Sequence, residues 1–178
     1  MEKRENLAKY FWRVTYSHAI AYWLAGALMM VFMNYDYLWS TEHIAAFYRP
    51  LTSPLIPLAP LLQIPRGILI ALFILPLRNA FFIEKYGLLK LWLIVFGFAA
   101  VSTIGAVWSS FEGLIFLKLP FRIHLMGYPE ILTYISLFVG ILYLSKRFAH
   151  RKITTIMPII MMLFIVFASI AGTMQAIK

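Results

Sequence analysis

Long stretches without a charged residue constrain this chain more than any other feature. Three of them cover residues 14–35, 91–111 and 153–177. A helix needs about 20 mostly apolar residues to cross a bilayer, so each stretch is long enough to span. A fourth run, 131–145, reaches that length if its helix begins near Gly127. Hydrophobic residues make up 62% of the chain and charged residues 13%, against about half and a quarter in soluble domains.

The segment 50–77 is also apolar and long enough to span, but it begins irregularly. Its first 16 residues contain five prolines, and an internal proline removes a helical hydrogen bond and clashes with the preceding turn. Residues 50–65 are therefore predicted to be non-helical or broken helix, yet packed on protein, because hydrocarbon does not tolerate exposed irregular backbone. A second irregular stretch, 109–129, mixes apolar and charged residues and is predicted to form an interfacial helix or a lid.

These segments together predict an all-α integral membrane protein with one transmembrane helical domain over residues 1–178. We expect a bundle of five helices, or of four if the proline-rich segment dips into the membrane without crossing it. The expected helices are approximately 13–35, a broken 51–77, 90–111, 127–145 and 153–177.

The distribution of basic residues predicts the orientation. With the N-terminus cytoplasmic, the inner segments carry eleven Lys and Arg and the outer segments carry four, which agrees with the positive-inside rule. The prediction is a multi-pass protein of a plasma or inner membrane type, with the C-terminus outside. The net charge of +9 is then topological and does not indicate nucleic acid. Lys146, Arg147, Arg151 and Lys152 form the tightest basic cluster, between the last two helices.

Several kinds of chemistry are disfavoured by composition and spacing. The absence of cysteine excludes disulfides, thiolate metal sites and cysteine catalysis. The four histidines have no metal-ligand spacing, and no phosphate-binding, dinucleotide-binding or hydrolase motif occurs. We therefore expect neither a metal nor a cofactor.

Arg66 is the most informative polar residue, because it lies within an apolar segment between Pro65 and Gly67. A charge inside a bilayer costs at least about 2.5 kcal/mol and marks a functional position by default. Either Arg66 extends to the outer headgroups, or it is buried and partnered. The second alternative predicts a guanidinium that is shielded from lipid, faces an outer cavity and contacts Glu112, freed carbonyls or a ligand anion.

Other polar residues fall on the same outer side. Glu112, Arg122, His124 and Glu130 join Gln63 and Arg66 as candidate ligand-binding residues. Glu130 also suits the first turn of a helix, because an acid there complements the helix dipole. His18, predicted near the inner end of the first helix, is expected to hydrogen-bond to a neighbouring helix.

The leading functional hypothesis is a non-enzymatic membrane protein with an outer-facing cavity. The cavity would bind a small or lipidic, anionic ligand or a partner membrane subunit, and the chain could also form a homo-oligomer. One alternative is a membrane-embedded enzyme acting on a lipid, with Glu112 or His124 as general base. Another is a transport or channel subunit, which would need a polar path through the inner half.

Overall fold

The computed structural model describes residues 6–101 and 109–177, and this part of the chain is helical without strands. Ten α-helices follow one another in it. They are α1 Leu7–Phe32, α2 Tyr35–Ser40, α3 Glu42–Ala45, α4 Ala59–Ile74, α5 Arg78–Phe82, α6 Gly87–Phe96, α7 Phe111–Phe116, α8 Phe121–Met126, α9 Tyr128–Arg147 and α10 Ile153–Ala176. A 3₁₀ turn, Leu75–Leu77, joins α4 to α5, and a π-helical segment, Gly97–Val101, extends α6.

Within the described residues, four helical segments are long and apolar enough to cross a membrane. They are Leu7–Phe32, Ala59–Phe82, Phe121–Arg147 and Ile153–Ala176. The helix Gly87–Ala99 is also apolar but shorter. The predicted all-helical class is confirmed, with four segments among the described residues that are long and apolar enough to span a membrane.

Helix α1 forms the centre of the bundle. In the most apolar 18-residue stretch of α1, about 56% is buried inside the protein, whereas 17–22% is buried in the corresponding stretches of the other three long segments. It packs mainly against α4 and α9, and its other side meets α10. The outer helices consequently turn large apolar side chains such as Phe73, Leu163 and Phe167 away from the protein.

The proline-rich segment was predicted correctly only in its first half. Residues 51–58 form turns, whereas α4 is already helical from Ala59 through Pro65. Pro60 lies in the first turn of α4, where its missing N–H would have had no helical partner. Pro65 lies inside the helix and removes the donor that Leu61 would otherwise receive. The turn segment packs on α10, because an added Cβ at Gly172 would lie 2.9 Å from Pro57 Cβ.

Two other predicted boundaries also need correction. Helix α1 starts at Leu7, not near residue 13, because the Asn6 side chain caps it by accepting a hydrogen bond from Ala8 N. The helix predicted over 90–111 has ended by Ser109, which adopts a positive φ of 65°. Residues 102–108 of that prediction lie outside the described residues.

Four short helices form a cap at one end of the bundle. Helices α2 and α3 pack against α8 through a small core of Leu38, Ile44 and Ile123. The stretch 109–129, predicted as an interfacial helix or lid, thus forms α7 and α8 beside this core and continues into α9. We call this end of the bundle the cap end. The opposite end, where α9 turns into α10, is called the turn end.

Candidate functional site

A buried histidine in the middle of α1 joins three helices. His18 is 1% exposed, and its Nδ1 lies 2.6 Å from the hydroxyl of Tyr134 on α9. Its Nε2 lies 3.1 Å from Oε1 of Gln63 on α4. An amide oxygen only accepts, so Nε2 carries a hydrogen, and in the neutral imidazole Tyr134 donates to Nδ1. These contacts confirm the prediction that His18 bonds to neighbouring helices.

The depth of His18 differs from the prediction. Because α1 begins at Leu7, His18 lies about 16 Å along the helix from its first residue and not near its inner end. A buried polar side chain at this depth requires partners, since an unsatisfied group costs about 1–3 kcal/mol. Gln63 and Tyr134 provide them.

Gln63 and Arg66 lie one turn apart on the same face of α4. Gln63 donates through Nε2 to Ala59 O, which leaves its Oε1 to accept from His18 and, at 3.3 Å, from Nη1 of Arg66. Arg66 lies within electrostatic range of His18, Tyr22 and Tyr134. Its side chain nevertheless remains exposed. Among the described residues, Arg66 makes neither an ion pair nor a hydrogen bond to Glu112.

An acidic group lies on the same side of the bundle. Glu130 is in the first turn of α9, as predicted, and its Oε2 accepts from the Tyr35 hydroxyl at 2.7 Å. Burial and this hydrogen bond raise the pKa of Tyr35 above its usual value, so the phenol remains a donor. Tyr22 is within electrostatic range of both Glu130 and Arg66.

We call these side chains the polar cluster. It consists of His18, Tyr22, Tyr35, Gln63, Arg66, Glu130 and Tyr134.

An apolar plug separates the polar cluster from the turn end. It contains Tyr10, Val14, Leu91, Phe138 and Leu142, each at most 1% exposed. The hydroxyl of Tyr10 donates to Ala71 O, so this phenol presents no free polar group to the interior. Among the described residues, the polar cluster lies toward the cap end and this apolar plug lies toward the turn end, where the core also contains the buried hydroxyl groups of Thr15, Ser17 and Ser145.

Helices α1 and α4 approach each other closely beside Arg66, at Gly67. An added Cβ at Gly67 would lie 2.9 Å from Thr15 Cα and 3.1 Å from Thr15 O. Glycine is the residue that permits such proximity of two helix backbones. Gly67 thereby holds α4 at the distance at which Gln63 reaches His18.

The remaining predicted site residues lie around the cap. His124 is buried on α8, where its Nδ1 accepts from Ser109 N at 3.3 Å. Among the described residues, its Nε2 and the Ser109 hydroxyl are buried without a hydrogen-bond partner. Glu112 lies in the first turn of α7, and Arg122 is exposed on α8. Gln63 and Arg66 are thus the predicted site residues that the structure joins by a direct hydrogen bond.

The tyrosines of the polar cluster were missed in the sequence. Tyr22 follows His18 by four residues, and Tyr134 follows Glu130 by four. Residues at this spacing share a helix face, so the pairs could have been recognised as two polar stripes. Because tyrosine is common at membrane interfaces, the sequence alone did not distinguish these tyrosines from ordinary interfacial residues.

Comparisons with known proteins provide no relative: no family model, no curated protein and no solved structure matches this chain. The functional interpretation therefore rests on the polar cluster and its surroundings.

Proposed function

We propose that this chain is a multi-pass membrane protein that binds an anionic ligand, small or lipidic, beside Arg66. The membrane location is supported by the four long apolar segments and by the apolar side chains that they turn outward. The single observation that carries the ligand proposal is Arg66 itself. It is an exposed cation on an apolar helix, and its hydrogen-bond partner is a neutral amide oxygen.

Five crossings are proposed, with the N-terminus cytoplasmic. Helix α1 starts at the turn end, where Tyr10 contacts Phe82, and α10 finishes near the cap end, where Gly172 meets Pro57. The chain must also return to the cap end between α5 and α9, since Lys146 at the end of α9 donates to Phe82 O. Helix α6 and its π-helical extension, Gly87–Val101, begin that passage. The excess of basic residues then lies at the turn end, which would face the cytoplasm.

The position of Arg66 favours a ligand anion over lipid alone. It lies seven residues into α4, about 10 Å along the helix from Ala59. Arginine stays protonated, so its charge needs water, protein or an anion at that depth. The guanidinium presents several donors in a plane, which suits a carboxylate or phosphate group bound by two hydrogen bonds. Tyr22, which lies within electrostatic range of Arg66, would add a neutral donor to the same anion.

The apolar plug argues against the channel alternative. A pore would need a continuous polar path between His18 and the turn end, whereas the buried side chains of Val14, Leu91 and Phe138 interrupt such a path. The enzyme alternative assigns the general base to Glu112 or His124. The burial of His124 and its bond to Ser109 N leave that imidazole poorly placed to meet a lipid substrate.

The test compares Arg66→Leu and Arg66→Lys with the unchanged chain in phosphatidylcholine nanodiscs. Thermal unfolding is followed during titration with three probes: inorganic phosphate, decanoate and phosphatidylglycerol. A ligand that binds the folded state raises the Tm. We expect at least one probe to stabilise the unchanged chain. Loss of a charge-assisted contact worth about 1.5–3 kcal/mol should weaken its binding about 10- to 100-fold in Arg66→Leu.

Arg49→Leu is the matched control, because it removes an exposed arginine from the cap end without touching the polar cluster. It should bind the probe normally. Arg66→Lys should bind more weakly than the unchanged chain, since an ammonium cannot replace the planar donor pair. Equal Tm shifts in Arg66→Leu and the unchanged chain would contradict the proposal. Probe-independent assembly that depends on Arg66 would instead indicate a partner subunit.

A further inference from the structure

A separate apolar groove begins at the turn end and follows α1 from Tyr16 to Leu24, and no residue of the polar cluster lines it. It has a volume of about 450 Å³ and runs between α1, α9 and α10. Its walls include Tyr16, Ile20, Ile141, Met157 and Met161. This volume is within the range of about 300–1,000 Å³ typical of ligand pockets.

The surface that the groove exposes is apolar. Of the three hydroxyl-bearing residues that line it, Ser145 donates to Leu142 O, and Thr154 donates to the carbonyls of Phe148 and Arg151. The groove therefore offers mainly hydrocarbon contacts. It suits an acyl chain better than a polar molecule.

The mouth of the groove is basic. Its lining residues Leu144 and Ser145 directly precede Lys146 and Arg147, and its lining residues Ile153 and Thr154 directly follow Arg151 and Lys152. The segment 131–177 contains no acidic residue that could neutralise these charges locally. The guanidinium of Arg151 lies 4.8 Å from the centre of the Phe148 ring, which holds it beside the turn. Arg147, Arg151 and Lys152 are exposed.

We infer that this groove binds one anionic phospholipid of the leaflet at the turn end. An acyl chain would lie along α1, α9 and α10, and the headgroup phosphate would contact Arg151 and Lys152. The inference rests on the membrane location proposed above, but not on ligand binding at Arg66, which is at the opposite end. Charge complementarity selects the occupant: a zwitterionic lipid would gain the acyl contacts alone, and a second copy would bring its own basic turn against this one.

The experiment measures lipid selectivity directly. The chain is purified in a neutral detergent, mixed with equal amounts of phosphatidylglycerol and phosphatidylcholine, and analysed by native mass spectrometry for the lipid retained. The unchanged chain should retain one phosphatidylglycerol in preference. Each basic side chain near an anionic lipid increases the affinity for that lipid about fivefold. The double variant Arg151→Gln with Lys152→Gln should therefore lower the preference for phosphatidylglycerol over phosphatidylcholine about 25-fold. The control variant Arg49→Gln with Lys118→Gln removes the same amount of charge at the cap end, and it should retain the preference for phosphatidylglycerol.

A second variant tests the groove independently of charge. Met157→Trp should fill part of the groove and reduce retention of both lipids, and Ile153→Trp serves if Met157→Trp does not fold by circular dichroism. Retention unaffected by either tryptophan would overturn the groove assignment. Equal retention of the two lipids by the unchanged chain, or a dimer in place of bound lipid, would also overturn it. Arg66 is unchanged in all of these variants, so a loss of lipid retention or preference in them is separate from binding at the polar cluster, and the phosphate and decanoate titrations test Arg66 without a phospholipid.

Discussion

Gly67→Ala tests the contact that sets the geometry of the polar cluster. The new Cβ would lie 2.9 Å from Thr15 Cα, where ordinary contact begins at 3.4 Å, so the two helices must separate by about 0.5 Å. Overpacking of this kind costs about 1–3 kcal/mol. Replacing glycine inside a helix returns about 0.5–1 kcal/mol. The net loss should lie between about 0 and about 2.5 kcal/mol; at about 1 kcal/mol, near the middle of that range, the Tm of a chain of this size falls by about 2–4 °C.

Thermal unfolding in detergent, followed by tryptophan fluorescence, provides the measurement. Gly26→Ala and Gly140→Ala are matched controls, because an added Cβ at either position meets nothing within 4 Å. Both should be neutral or slightly stabilising, so the sign of the effect should differ from that of Gly67→Ala. Adding Thr15→Ala should rescue Gly67→Ala only in part, since two of the three close atoms belong to the Thr15 backbone. Equal stability of Gly67→Ala and Gly140→Ala would refute the reasoning.

Three further predictions concern the polar cluster and the topology. A double-mutant cycle of His18→Ala and Tyr134→Phe should give a coupling of about 0.6–1.7 kcal/mol in unfolding measurements, and additive effects would contradict the 2.6 Å hydrogen bond. Tyr35→Phe should speed hydrogen exchange in residues 35–45 because it releases the cap from Glu130, whereas Tyr37→Phe, which alters an exposed phenol, should leave the rate unchanged. Single cysteines at the two termini should react with an impermeant reagent only at the C-terminus, and labelling of both termini from one side would exclude five crossings.

The helical class could be predicted because it depends on composition over long windows. A run of about 20 uncharged residues predicts a long apolar helix even where a single residue near its end is misjudged. The long apolar helices were therefore recognised, although some of their predicted ends were wrong. Boundaries depend on single side chains: the Asn6 cap extends α1 to Leu7. Irregular structure was wrongly predicted for Ala59–Pro65, because Pro60 lies in the first turn of α4, where a proline costs little, and the helix also accommodates Pro65.

The candidate site was only partly predictable. Arg66 was recognised from its apolar flanks, and the bond of His18 to other helices was expected from its burial. The partners could not be chosen, because pairing across helices depends on their rotation and depth. A start at residue 13 would have placed His18 near the end of α1, whereas a start at Leu7 aligns it with Tyr134. For Arg66, contact with Glu112, freed carbonyls or a ligand anion was expected, and the structure adds a hydrogen bond to Gln63 that was not predicted.

The apolar plug has an electrical consequence. If water or ligand fills the polar cluster from the cap end, the low-dielectric part of the bundle is confined to the residues between His18 and the turn end. A transmembrane voltage then falls mainly across Val14, Phe138 and Leu142 and hardly across Arg66. An elementary charge that crosses the full potential changes in energy by about 2.3 kcal/mol per 100 mV. An anion that reaches Arg66 would cross little of that potential, so its affinity should be nearly independent of the resting potential of the cell.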